Sequence, residues 1–182
     1  MPRRIAPTLA SLAAGLALVL VGALAHPAST ALAASGLSVE ERAFVGLIND
    51  YRQTNGLEPL AIDGNLQSSS EWMSNDMGVN AYFSHTDSLG RDPWARMCIF
   101  DYGYNTWTGE NLGAGYRTAS EVFTGWKDSP DHNANMLEPN YNAMGISRVY
   151  VSGSPHGWYW TNDFGGVQSD ISALPRADAI DL

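Results

Sequence analysis

The sequence predicts an α+β domain, and three observations carry that prediction. Apolar residues recur with helical spacing through the stretch from 38 to 127. The pattern then changes to runs rich in Ile, Val, Tyr and Trp over 143–151 and 157–164. No segment alternates strand, helix and strand as a parallel α/β sheet requires. The two late runs are joined by Ser152-Gly153-Ser154-Pro155-His156, a turn composition, so they read as a hairpin and the sheet as antiparallel.

The first element is a helix over 38–55. Ser38 and Glu41 form a capping box, and Phe44, Leu47, Ile48 and Tyr51 fall at i, i+3, i+4 and i+7 on one face, with Gly56 as the stop. A second helix over 63–75 turns Leu66, Met73 and the following Met77 towards the core. Asp92-Pro93 is a cap followed by proline at the first helical position, opening a short helix through Trp94 and Met97. Thr118 and Glu121 form another capping box before a helix carrying Val122, Phe123 and Trp126. The segment 108–115 reads as a strand or a loop edge.

The ends of the chain have a different character. Arg3 and Arg4 precede an uncharged stretch over 5–25, and Ala31-Leu32-Ala33 is a small-x-small processing site. Residues 1–33 are therefore expected to be a signal peptide, leaving a domain over 34–166 and a flexible tail over 167–182. Gly15 and Gly22 dilute the apolar run, which favours cleavage over retention as a membrane anchor. The sequence thus places the domain outside the cell. The formal charge is -9, and two of the ten basic residues lie in the leader. Such an acidic surface repels phosphate backbones and disfavours nucleic acid as a partner. The one cysteine, Cys98, has no second cysteine to pair with, so stability rests on the core. A monomer is expected.

Three histidines follow the leader: His85, His132 and His156. His156 falls in the Ser/Gly/Pro turn and reads as a solvated loop residue. His85 lies in Phe83-Ser84-His85-Thr86-Asp87, and His132 in Asp128-Ser129-Pro130-Asp131-His132-Asn133. Between them comes Gly109-Glu110-Asn111-Leu112. Two neutral imidazoles and a carboxylate are a competent ligand set for a divalent ion, zinc or calcium, with a position left for water. His85, Glu110 and His132 are accordingly the candidate metal ligands and the candidate catalytic groups. Their spacing is no local metal signature, so only the fold can bring them together. Ser129, three residues before His132, and Asn111 are expected to line the same cleft. Gly-x-Ser-x-Gly does not occur in the sequence.

The order of these pieces resembles the CAP superfamily of cysteine-rich secretory, antigen 5 and pathogenesis-related 1 proteins, and within it the bacterial SCP-like branch. The matching segments begin with Leu47-Ile48-Asn49-Asp50-Tyr51-Arg52 and the His85 and Glu110 segments just quoted. Trp126-Lys127-Asp128-Ser129-Pro130-Asp131-His132, Asn135-Met136-Leu137, Gly145-Ile146 and Tyr159-Trp160-Thr161-Asn162-Asp163-Phe164-Gly165 follow. The resemblance implies a three-layer α-β-α sandwich around a central antiparallel sheet. It also implies a cleft with two histidines and two acidic residues, of which His85, Glu110 and His132 match three. The second acidic position falls on Ser129.

Three functional readings follow. The favoured one is an extracellular binding module for a divalent metal, a small lipid or a glycan, acting on a small ligand or a surface component without turnover. The others are a metal-assisted hydrolase acting on peptides or cell wall, and a structural or interaction domain.

Overall fold

The chain runs from α1 (Val39–Thr54) through β1 (Ala61–Ile62), α2 (Gly64–Val79), α3 (Pro93–Ile99) and β2 (Thr108–Ala114). It continues through α4 (Ala119–Lys127), α5 (Pro130–Met136), β3 (Ala143–Tyr150) and β4 (Trp158–Gly165). This computed structural model describes residues 36–169. The expected leader with its processing site, and the expected tail from 170 onward, lie outside the described residues. Among the described residues no helix is long and apolar enough to cross a membrane.

Local chemistry sets the helix starts. Ser38 and Glu41 close the capping box on α1, and Thr118 and Glu121 repeat it on α4. Asp63 caps α2 by accepting from the Asn65 and Leu66 amides at 2.9 and 3.1 Å. Asp92 accepts from the Ala95 amide at 2.8 Å, ahead of Pro93. α2 runs four residues past the expected end, to Val79.

The sheet order is β1-β3-β4-β2. β3 and β4 form the expected antiparallel hairpin, and β2 adds to β4 antiparallel, with Glu110 opposite Asp163. The two-residue β1 departs from the all-antiparallel expectation by pairing parallel with β3. It is held by the Ala61 and Asp63 amides donating to the Asn142 and Met144 carbonyls, each at 3.0 Å.

Strand alternation divides the core between the two faces. Met144, Ile146, Trp160 and Phe164 pack with Phe44 and Ile48 of α1 and with Val122 and Trp126 of α4. Leu112 and Tyr159 point the other way, onto Met73 and Met77 of α2. Helices thus cover both faces, giving the α-β-α sandwich. Gly145 allows β3 to lie directly against α2, because a Cβ there would meet the Leu66 backbone. At the C-terminal end, the Ser169 amide donates to the N-cap carboxylate of α2, Asp63, at 2.7 Å, so the described chain stays bonded to the domain through 169.

Candidate functional site

The loop between α2 and α3 carries His85, and a buried carboxylate anchors it. Asp76 of α2 accepts from the Ser88 amide at 2.9 Å, the Ser88 hydroxyl at 2.6 Å, the Asn80 amide group at 2.7 Å, and the Tyr82 hydroxyl. Burial alone would raise the Asp76 pKa; these hydrogen bonds overcome it and hold the group below its ordinary value. Asp87 fixes the far side of the loop through the Leu89 and Arg91 amides, both at 2.9 Å, and the Arg91 guanidinium at 2.7 Å.

His85 presents a half-exposed ring whose Nδ1 lies 2.6 Å from Glu110 Oε1. Glu110 itself is buried, and its Oε2 is ion-paired with Arg96 of α3. Arg96 has no exposed surface, and it also donates to the His85 carbonyl at 3.3 Å. One guanidinium therefore clamps both the carboxylate and the backbone of the histidine that the carboxylate orients.

Asp163 of β4 is fully buried beside this pair, and neither carboxyl oxygen has a hydrogen-bond partner among the described residues. Burial pushes its pKa well above the carboxylate range, the Glu110 charge adds to that, and Arg96 only partly offsets it.

His132 comes from the other side of β2, on α5. Ser129 is the N-cap residue of α5, yet its hydroxyl makes no cap bond; it sits 2.8 Å from His132 Nδ1. The ring leans against Trp126, with centroids 6.3 Å apart. Burial lowers the His132 pKa below 6.5, repulsion from His85 lowers it further, and Asp131 partly opposes both. The site therefore holds a neutral imidazole near neutral pH.

Ser129 and His132 line a groove of about 330 Å³. Phe83, Tyr116, Trp126 and His156 form its aromatic walls, and residues 112–114 of β2 with Gly125 of α4 complete the lining. Gly113 and Gly125 leave space for the Tyr116 ring, which a Cβ at either position would meet.

One expectation needs correction. Asn111 does not line the cleft: it has no exposed surface. Its amide donates to the His132 carbonyl at 3.0 Å, and its side-chain oxygen accepts from Asn135 at 2.9 Å. It holds α5 against β2 and so fixes where His132 stands. His156 is exposed in its turn as expected, but its ring also meets Phe83 at 6.0 Å and Tyr159 at 5.8 Å and joins the groove wall. Sequence reasoning also missed Arg96 and Asp163, neither of which carries a local signal. Among the described residues no three His, Cys, Asp or Glu side chains are grouped to hold a metal ion.

Comparison with known proteins agrees with this architecture. The family model for the cysteine-rich secretory protein family, CAP, matches residues 45–164. The uncharacterized protein YkwD of Bacillus subtilis is 38% identical over 138 residues, which cover 76% of this chain and 51% of that protein. The chain thus spans about half the length of this curated relative. Two solved structures share the fold. An outer surface protein of Borrelia burgdorferi superposes with a TM-score of 0.63 at 23% identity, covering 69% of this chain and 91% of that one. An extracellular protein of Bacillus anthracis containing an SCP domain gives 0.61 at 24% identity, covering 71% of this chain and 40% of that one. With the family model spanning most of the described residues and both layers of helices in place, the chain belongs to the CAP family of cysteine-rich secretory proteins.

Proposed function

We propose that the domain is an extracellular binding module whose cleft takes a small lipid or glycan ligand, with zinc held between two imidazoles. The observation that carries the reading is the state of Glu110. Both its oxygens are committed, one to His85 and one to Arg96. The cleft is left with aromatic surface and imidazole nitrogens, and its one carboxylate beside them serves to orient rather than to activate water. Export is supported by the leader and by relatives named as extracellular and outer-surface proteins.

The donor chemistry suits zinc better than calcium. Nδ1 of His85 faces Glu110 and Nδ1 of His132 faces Ser129, so each ring has Nε2 to offer. Neutral imidazoles are ligands of zinc, whereas calcium takes oxygen donors. His85 and His132 would hold the ion, with Glu110 behind His85 as the carboxylate that fixes its tautomer. Bound there, zinc supplies a Lewis acid with open positions for a ligand oxygen.

Calorimetric titration of the purified protein with zinc and calcium tests the reading. Zinc binding lost in both His85→Ala and His132→Ala, with no calcium binding, is the expected result. A folded protein that binds neither ions nor lipids and oligosaccharides, in calorimetry and native mass spectrometry, would sink it.

A second reading, a metal-assisted hydrolase of peptides or wall fragments, is favoured by one feature. The half-exposed His85 backed by Glu110 at 2.6 Å has the geometry of a general base with its orienting carboxylate. Its test is turnover of peptide and wall-fragment mixtures, followed by mass spectrometry, that disappears in His85→Ala.

A further inference from the structure

Away from the cleft, the loop that leads into β2 holds its backbone rigidly and leaves its indole outside. Tyr102 is fully buried, and its hydroxyl donates to the Val167 carbonyl and accepts from the Val167 amide at 3.1 Å. It occupies the space that a side chain at Gly165 would need, and Thr106 occupies that of Gly166. The Gly166 amide donates to the Trp107 carbonyl at 2.9 Å, and the Thr106 amide to the Tyr104 carbonyl at 2.9 Å. Two consecutive glycines thus seat the loop on the end of β4.

On this fixed backbone the Trp107 side chain is 62% exposed. It borders an open recess of about 450 Å³ whose other lining residues are Asn105, Thr106 and Thr108. The buried Trp126 and Trp160 each donate their indole N–H to a backbone carbonyl, at 2.9 Å in both cases. The Trp107 indole N–H, the Asn105 amide, and the Thr106 and Thr108 hydroxyls have no hydrogen-bond partner among the described residues. An exposed flat ring surrounded by unengaged amide and hydroxyl groups presents an apolar face and a polar fringe together.

We propose that Trp107, with Asn105, Thr106 and Thr108, is a second binding site that takes a neutral glycan, one pyranose ring stacked on the indole. The chemistry matches both parts of a sugar: its C–H face packs on the aromatic ring while its hydroxyls exchange hydrogen bonds with the fringe. No charged residue lines the recess, and the chain's charge of -9 opposes acidic polysaccharides and anionic membranes. The site shares no lining residue with the His132 groove, so it stands whether or not that cleft binds a ligand.

The test is saturation-transfer NMR and calorimetry of the purified protein with chitotetraose and cellotetraose, both soluble neutral glycans. At least one is expected to bind, at least tenfold more weakly to Trp107→Ala, with affinity unchanged in Trp94→Ala, a comparably exposed tryptophan on α3. Circular dichroism melting keeps the variant interpretable, since removing an exposed indole leaves the fold in place. The proposal is overturned if neither glycan binds, if Trp107→Ala binds as well as wild type, or if His132→Ala is the variant that loses binding. Trp107-dependent sedimentation with neutral phosphatidylcholine vesicles, without glycan binding, would overturn it in favour of a lipid surface.

Discussion

Glu110 and Asp163 stand directly opposite each other in the β2–β4 ladder, two buried carboxyls on one face of the sheet with Arg96 as their cation. The geometry is unfavourable for two negative charges, and the ion pair with Arg96 goes to Glu110. Asp163 therefore binds its proton more tightly when folded than when unfolded.

This has a definite sign. A carboxyl whose folded pKa is raised binds more protons in the folded state, so its contribution to stability declines as pH rises from about 3.8 to its folded pKa. Asp163→Asn, a neutral replacement of the same shape, is expected to melt higher than wild type at pH 7, with the gain vanishing below pH 4. Thermal melts of the two proteins across pH 3–8 check it; a variant less stable than wild type at pH 7 would contradict it.

Arg96 carries the opposite risk. Removing it leaves Glu110 buried without its cation and releases the His85 carbonyl. Arg96→Met is expected to cost roughly 3–5 kcal/mol, the usual penalty for breaking a buried pair. Denaturant unfolding measures this, and a loss below about 1 kcal/mol would show that water already reaches Glu110.

His85 and His132 are electrostatically linked. Burial is the larger cause of the depressed His132 pKa and His85 the smaller. His85→Ala should raise the His132 pKa part of the way towards 6.5 and not to it. Imidazole NMR titration reads this directly; no movement would mean that the rings do not sense each other. Because folding lowers this pKa, the related stability is complete above pH 6.5 and is lost as pH falls below it.

Packing supplies a fourth prediction. A methyl group at Gly145 would meet the carbonyl group and amide of the Leu66–Gln67 backbone, which cannot rotate away. Gly145→Ala is expected to cost about 3 kcal/mol as α2 is pushed off the sheet. Gly46→Ala, at a helical position with open space around it, is the control and should hold or gain stability.

What the sequence disclosed was mostly local. The capping boxes at Ser38 and Thr118 and the hairpin turn at 152–156 involve neighbours along the chain, so their residue types suffice to place them. β1 has only two residues and α5 only seven, too short for a period to show. The site divides in the same way. His85, Glu110 and His132 were singled out as candidates, and the clamp around them was not. Arg96 reads as one cation in a short helix, and its role depends on a strand that arrives later in the chain. Asp163 lies in a run dominated by aromatic residues, and its neighbour Glu110 is 53 residues earlier in the chain. His156 was assigned to solvent because a turn composition does not reveal which wall the turn leans on.

The anchoring of the 80–92 loop has a consequence for the conditions the protein tolerates. With a single cysteine in the sequence, no internal covalent bridge can hold that loop, and the carboxylate of Asp76 does so instead. Thiol reductants and oxidants leave such a tether untouched. Strong acid weakens it, because protonating Asp76 removes the charge that strengthens the hydrogen bonds from Ser88, Asn80 and Tyr82. The loop that carries His85 is thus held by a tether that thiol chemistry does not reach and that acid weakens.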